Sequence, residues 1–202
     1  VLLNDVLEHQ QVPVSILAAG ASDQVNVLMQ DRQVTMSLGG GRASASQDWV
    51  KVNAGQTGFY RVNYSSEDWA RLRLAVETSQ LLSTDRLGLQ NDCYALMRGG
   101  FVPATLFLSL AEAYRNEPDA TVWRDLLANL RALETLIAEE MYLPHFYAYA
   151  GELCRPVAQR VGWDAKPDEG HLDALLRSTI LDQIGSYGDA QVIEEAVTRL
   201  DR

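Results

Sequence analysis

The 202-residue sequence has two cysteines, three histidines and no cluster of basic residues. Cys93 and Cys154 cannot build a disulfide framework in a chain of this length. Both sit among apolar residues in stretches of helical spacing, where they read as small core hydrophobes. That usage fits a reducing, cytoplasmic compartment. The balance of 27 acidic against 17 basic side chains gives a net charge of −10. It argues against nucleic acid as a partner, because phosphate binding needs grouped Lys and Arg, and it reads as a solvated acidic surface. No apolar run is long enough to cross a bilayer, so no membrane partner is expected. The opening VLLNDVLEHQ lacks the basic flank and cleavage signature of a signal peptide, and no methionine precedes it. A start inside a longer protein is expected.

Catalytic patterns are missing as well. None of His9, His145 and His171 opens an H-E-x-x-H, and none lies four residues from another, so no helix turn can offer two imidazoles to a metal. Glu139, Glu140 and His145 are close in sequence, but the adjacent glutamates diverge on a helix and Pro144 interrupts the path to His145. G-x-S-x-G is absent, and neither cysteine has a suitably spaced histidine. Gly39, Gly40 and Gly41 invite comparison with a phosphate cradle, yet G-x-x-x-x-G-K-[ST] is lacking and no helix follows, so a flexible strand connection is expected. His171 reads as a polar residue in a first helical turn. Arg177 could face a cavity and hold a carboxylate, but a solvated or structurally paired arginine is the expected reading. No catalytic, cofactor-binding or metal-binding residue is assigned to this chain.

What is present is a change of periodicity. VPVSIL, QVNVLMQ and QVTMSL are short β-branched or alternating runs. WVKVNAGQTGFYRVNY sets Val50 and Val52 against Lys51 and Asn53, then Tyr60, Val62 and Tyr64 against Arg61 and Asn63. Period-two spacing predicts a hairpin with one buried face, the last strands of a small β-sandwich. From Ser66 the spacing becomes helical. SSEDWARLRLAVE begins with a serine cap and first-turn acids. Leu89, Cys93 and Leu96 form one stripe ahead of the Gly99-Gly100 stop, and Leu106, Leu110 and Tyr114 form another. Trp123, Leu126, Leu127, Leu130 and Leu133 share one face. Pro156 predicts a kink or break. Leu172, Leu175 and Ile180 make the predicted stripe around Arg177. Seven or so helices with short connections would pair antiparallel, in the rhythm of an α-solenoid. The fold class is α+β and mainly α, with a partial sandwich over 1–64 and a helical domain over 65–202.

WVKVNAGQTGFYRVNYSSEDWARL closely resembles the segment that ends the small sandwich in zinc aminopeptidases of the aminopeptidase N type. STDRLGLQNDCYALMRGG, NEPDATVWRDLLANL and RVGWDAKPDEGHLDALLRS agree in the same order, the last two being most similar to the puromycin-sensitive branch. The resemblance implies the third domain of such an enzyme followed by part of its fourth, the helical one. It implies a parent that releases amino-terminal residues from peptides with a zinc-activated water, and a catalytic portion elsewhere in the same polypeptide. The zinc-binding H-E-x-x-H, the downstream glutamate ligand and the G-x-M-E-N motif are not in this sequence, so no catalytic role transfers to it. This part would shape and cover the peptide cavity. The alternatives are a stand-alone helical-repeat module for a protein partner, or part of an inactive paralogue.

Overall fold

A computed structural model describes residues 11–36, 48–167 and 169–201. Its contacts divide the chain into two compact units, Val1–Pro103 and Ala104–Arg202.

In the first unit β1 (Val12–Ala18) lies between β2 (Val25–Met29) and β3 (Val50–Val52), antiparallel to both. Val14 faces Val27 across one pair and Ile16 faces Val52 across the other. Val14, Ile16, Met29, Val52 and Val62 form a buried apolar cluster flanked by Val12, Val27, Val34 and Met36. The helices that follow are α1 (Ser66–Glu77) and α2 (Ser83–Arg98). Ser65 caps α1, its hydroxyl accepting the Asp68 N–H at 3.2 Å, with Glu67 and Asp68 in the first turn. Trp69, Leu72, Ala75 and Val76 are the buried face of α1. The α2 helix stops at Gly99, and Gly100 takes φ 74° beyond it, the left-handed step glycine permits.

Two expected strands take other forms. Residues 33–36 give only an isolated bridge at Gln33, and Ser37, Leu38 and the Gly39–Gly41 tract lie outside the described residues. Tyr60 to Tyr64 are not a strand. Their burial does alternate, with Val62 buried between exposed Arg61 and Asn63, but the Val62 N–H donates to the Asp92 carboxylate at 3.3 Å. Val52, the expected hairpin partner, pairs with β1 instead.

The second unit contains α3 (Ala104–Glu112), α4 (Ala120–Leu136), α5 (Leu143–Val161), α6 (His171–Ser186) and α7 (Ala190–Leu200). Helix α6 packs against α4, α5 and α7. Asp119 caps α4 by accepting the Thr121 and Val122 N–H groups at 2.8 and 3.2 Å. Asp189 does the same for α7, from Gln191 and Val192 at 3.1 Å each. Trp123, Leu126, Leu127, Leu130 and Leu133 are all buried on α4 as the spacing predicts, each such side chain contributing about 1.5–3 kcal/mol. Helix α5 runs through Pro156 without a break. Glu152, whose carbonyl loses its donor there, is exposed, so water can take the bond. The buried face of α6 is Leu176, Ile180, Gln183 and Ile184. Leu172 and Leu175 of the expected stripe are 47% and 38% exposed.

Candidate functional site

The residues singled out for metal chemistry stay apart. Glu139 and Glu140 lie in the turn after α4, and His145 lies in the first turn of α5, all exposed. His171 is the first residue of α6 and exposed, while His9 lies outside the described residues. Among the described residues no three His, Cys, Asp or Glu side chains converge, so the donors in view do not fit a zinc seat, which needs three or four of them at bonding distance. Cys93 and Cys154 are buried and free, and burial pushes both thiols up to about 12, far from thiolate nucleophiles.

Arg177 is a paired arginine. Its guanidinium donates to both carboxylate oxygens of Glu169, and to the Val161 and Gly162 carbonyls at 3.2–3.3 Å. It thereby satisfies the carbonyls that α5 leaves open at its end, where Gly162 turns the chain at φ 64°. The Arg177 bonds, with the Lys166 N–H, hold the Glu169 carboxyl down to about 2. Arg199 anchors the same region, stacking over Trp163 at 5.2 Å and binding Asp164 at 2.8 Å.

The densest polar constellation is one that sequence reading missed. It joins β3, the following turn and α2. Lys51 is wholly buried; its ammonium donates to the Val52 carbonyl at 2.7 Å and lies 3.9 Å from Asp85. Asp85, on the first turn of α2, accepts the Gly55 N–H at 2.8 Å. Asp92, two turns further on the same face, accepts Arg61 at 3.1 Å and the Val62 N–H. Desolvation lowers the Lys51 pKa, against the pull of Asp85 and Asp92, and raises that of Asp92, against Arg61 and Lys51. The Tyr64 hydroxyl bridges the Val52 carbonyl and N–H at 3.3 and 3.1 Å, and burial pushes it well above the usual phenol range.

Between these clamps the chain takes a tight 3₁₀ turn over Ala54–Gln56. Asn53, Gly55 and Gln56 all have positive φ, at 59°, 73° and 56°, a conformation that strains the two residues carrying a Cβ. The Asn53 side chain holds Gly58 from both sides, accepting its N–H at 2.8 Å and donating to its carbonyl at 3.0 Å. Gly88 of α2 lets Gln56 lie against the helix: a Cβ there would come within 1.9 Å of the Gln56 amide carbon. Asp85 and Asp92, seven apart, share one helical face in the sequence, but nothing there sets Lys51 opposite them, and Val50 and Val52 made Lys51 look like the solvent side.

This arrangement positions backbone; it holds no nucleophile aimed at a cavity. Another concave feature is an apolar cavity of about 420 Å³ against the sheet, lined by Val14, Ile16, Val27, Met29 and residues 33–36.

Residues 49–202 match the ERAP1-like C-terminal domain family. The chain is 37% identical over 194 residues to aminopeptidase M1-A of Oryza sativa subsp. japonica, covering 94% of this chain and 22% of that protein. It is 30% identical over 205 residues to aminopeptidase M1 of Arabidopsis thaliana, covering 94% and 23%. Glutamyl aminopeptidase of Bitis rhinoceros is 29% identical over 151 residues, covering 73% and 16%. The chain therefore spans under a quarter of the length of these relatives.

Proposed function

The chain belongs to the ERAP1-like C-terminal domain family, and from that premise we propose that it is the non-catalytic carboxy-terminal part of a zinc-dependent aminopeptidase. The parent enzyme releases amino-terminal residues from peptides in the cytoplasm. On this reading its zinc and its catalytic groups belong to the portion preceding this chain. This part consists of a partial β-sandwich over 1–64 and a helical solenoid over 65–202. It shapes and covers the cavity that receives the peptide. A solenoid suits that task, since stacked helices offer an extended concave wall without special chemistry.

The observation that carries the reading is the match to relatives named aminopeptidases along 94% of this chain. The capped, well-filled helices and the charge-clamped turn support a scaffold role: their polar groups are spent on structure. The test is the complete reading frame. An upstream H-E-x-x-H in frame, with one zinc per complete polypeptide by metal analysis, is the expected result. A frame without that motif, or a complete polypeptide free of zinc, overturns the proposal.

A further inference from the structure

Strain and burial in the first unit converge on the turn after β3, and the tip of that turn is Phe59, fully exposed to solvent. Isolated exposed hydrophobics are common on protein surfaces; the support beneath this one is not. Asn53 and Gln56 hold left-handed backbone. Asn53 grips Gly58 on both backbone groups, and the Gln56 amide donates to the Asn53 carbonyl at 3.3 Å. Buried Asp85 fixes Gly55 from α2. Gly58 cannot be replaced without meeting the Tyr60 ring, 2.1 Å from a built Cβ. Tyr60, the next residue, packs against the sheet core. The tip is thus fixed on both sides, and its one large side chain points away from everything that fixes it. With its backbone pre-set, Phe59 has only its two side-chain torsions left to lose when it enters a pocket, which is the property of interface anchors.

We propose that Phe59 is a docking anchor that inserts into an apolar pocket on the preceding, catalytic portion of the same polypeptide. This rests on the reading of the chain as part of a larger aminopeptidase. The match covers 22% of the length of the rice relative, so most of such a polypeptide lies outside this chain and is available to meet this unit. An intramolecular partner makes a small anchor sufficient, because the tether supplies a high effective concentration. The anchor would set where the scaffold sits on the catalytic portion.

The experiment uses the complete polypeptide carrying Thr57→Cys, an exposed position two residues from the anchor that leaves Phe59 in place. Labelling by a thiol reagent is read by mass spectrometry on the peptide containing residue 57, so other cysteines do not interfere. The expected result is labelling at least about tenfold slower than in the urea-unfolded polypeptide, unchanged on dilution, with the protection lost when Phe59→Asp is added. Labelling as fast as in the unfolded polypeptide overturns the proposal. So does protection that survives Phe59→Asp, or protection that disappears on dilution and so belongs to a second copy. Zinc content and turnover of the same polypeptide are measured separately, so failure of the anchor and failure of the aminopeptidase reading give different results.

Discussion

The buried charges around the turn of the first unit and the pairs at the helix ends of the second are governed by opposite effects. In the first, Lys51, Asp85 and Asp92 have almost no exposure, and desolvation governs: the lysine is pushed down and Asp92 up. In the second, Glu169 keeps two guanidinium bonds and a backbone N–H, and those bonds govern, taking it down to about 2. Arg131, Arg155 and Arg199 make their pairs with side chains 32–54% exposed. Buried charges of the first kind add little net stability while both partners are present, yet removing one is severe. The partly solvated pairs of Arg131, Arg155 and Arg199 contribute modestly and fail gently. Charge in the first unit therefore fixes one conformation of the turn; charge in the second ties helix ends that apolar packing has already placed.

The largest break in this contrast comes from Asp85→Ala, which strands Lys51 and frees the Gly55 N–H. It is expected to lower stability by about 3–5 kcal/mol in urea unfolding. Adding Lys51→Met should restore part of the loss, because no uncompensated ammonium remains; no recovery would mean that the Gly55 bond, not the charge, carries the effect. Gly88→Ala comes next, at no more than about 1 kcal/mol, since a methyl there overlaps the flexible end of the Gln56 side chain, which has to swing aside and give up its bond to the Asn53 carbonyl. Gln56→Ala in the same chain should relieve most of it, as a double-mutant cycle can read.

Glu169→Gln is expected to do less than either, and to show itself in the pH dependence. With its carboxyl depressed from 4.5 to about 2 in the folded state, the unfolded chain binds the proton first as pH falls. The stability this group adds is complete above about 4.5 and is lost as pH drops toward 2. Glu169→Gln should flatten that acid limb, whereas removing Asp92 should not, because its raised pKa makes the folded state the better proton binder. An unchanged acid limb in Glu169→Gln would contradict the assignment. Smallest of all, Arg155→Ala, which removes pairs to Glu152 and Asp189 at 3.2 and 3.0 Å, should lower the unfolding free energy by no more than about 0.5 kcal/mol.

Much of the helical half was legible because its signals are local. The Ser65 cap, the apolar stripe from Trp123 to Leu133 and the Gly99-Gly100 stop depend on residues a few positions apart, and each appears in the structure. For Arg177 the sequence favoured a solvated or structurally paired arginine over one facing a cavity, and it is the paired form that the structure shows. The strand half was less so. Tyr60 to Tyr64 kept their alternation without becoming a strand, because the N–H of Val62 goes to a carboxylate thirty residues away. The burial of Lys51 depends on Asp85, also distant in sequence, and no periodicity reports a partner that far off. The shift of the α6 stripe from Leu172 and Leu175 to Leu176 and Ile184 has the same origin: two helical faces were apolar, and contacts with α4 and α5 selected between them.

The direct test of the account is hydrolysis of an aminoacyl reporter, measured side by side for this chain and for the complete polypeptide. Turnover by the complete polypeptide and none by the chain is the predicted result. Turnover by the chain alone, or an inert complete polypeptide, would contradict it.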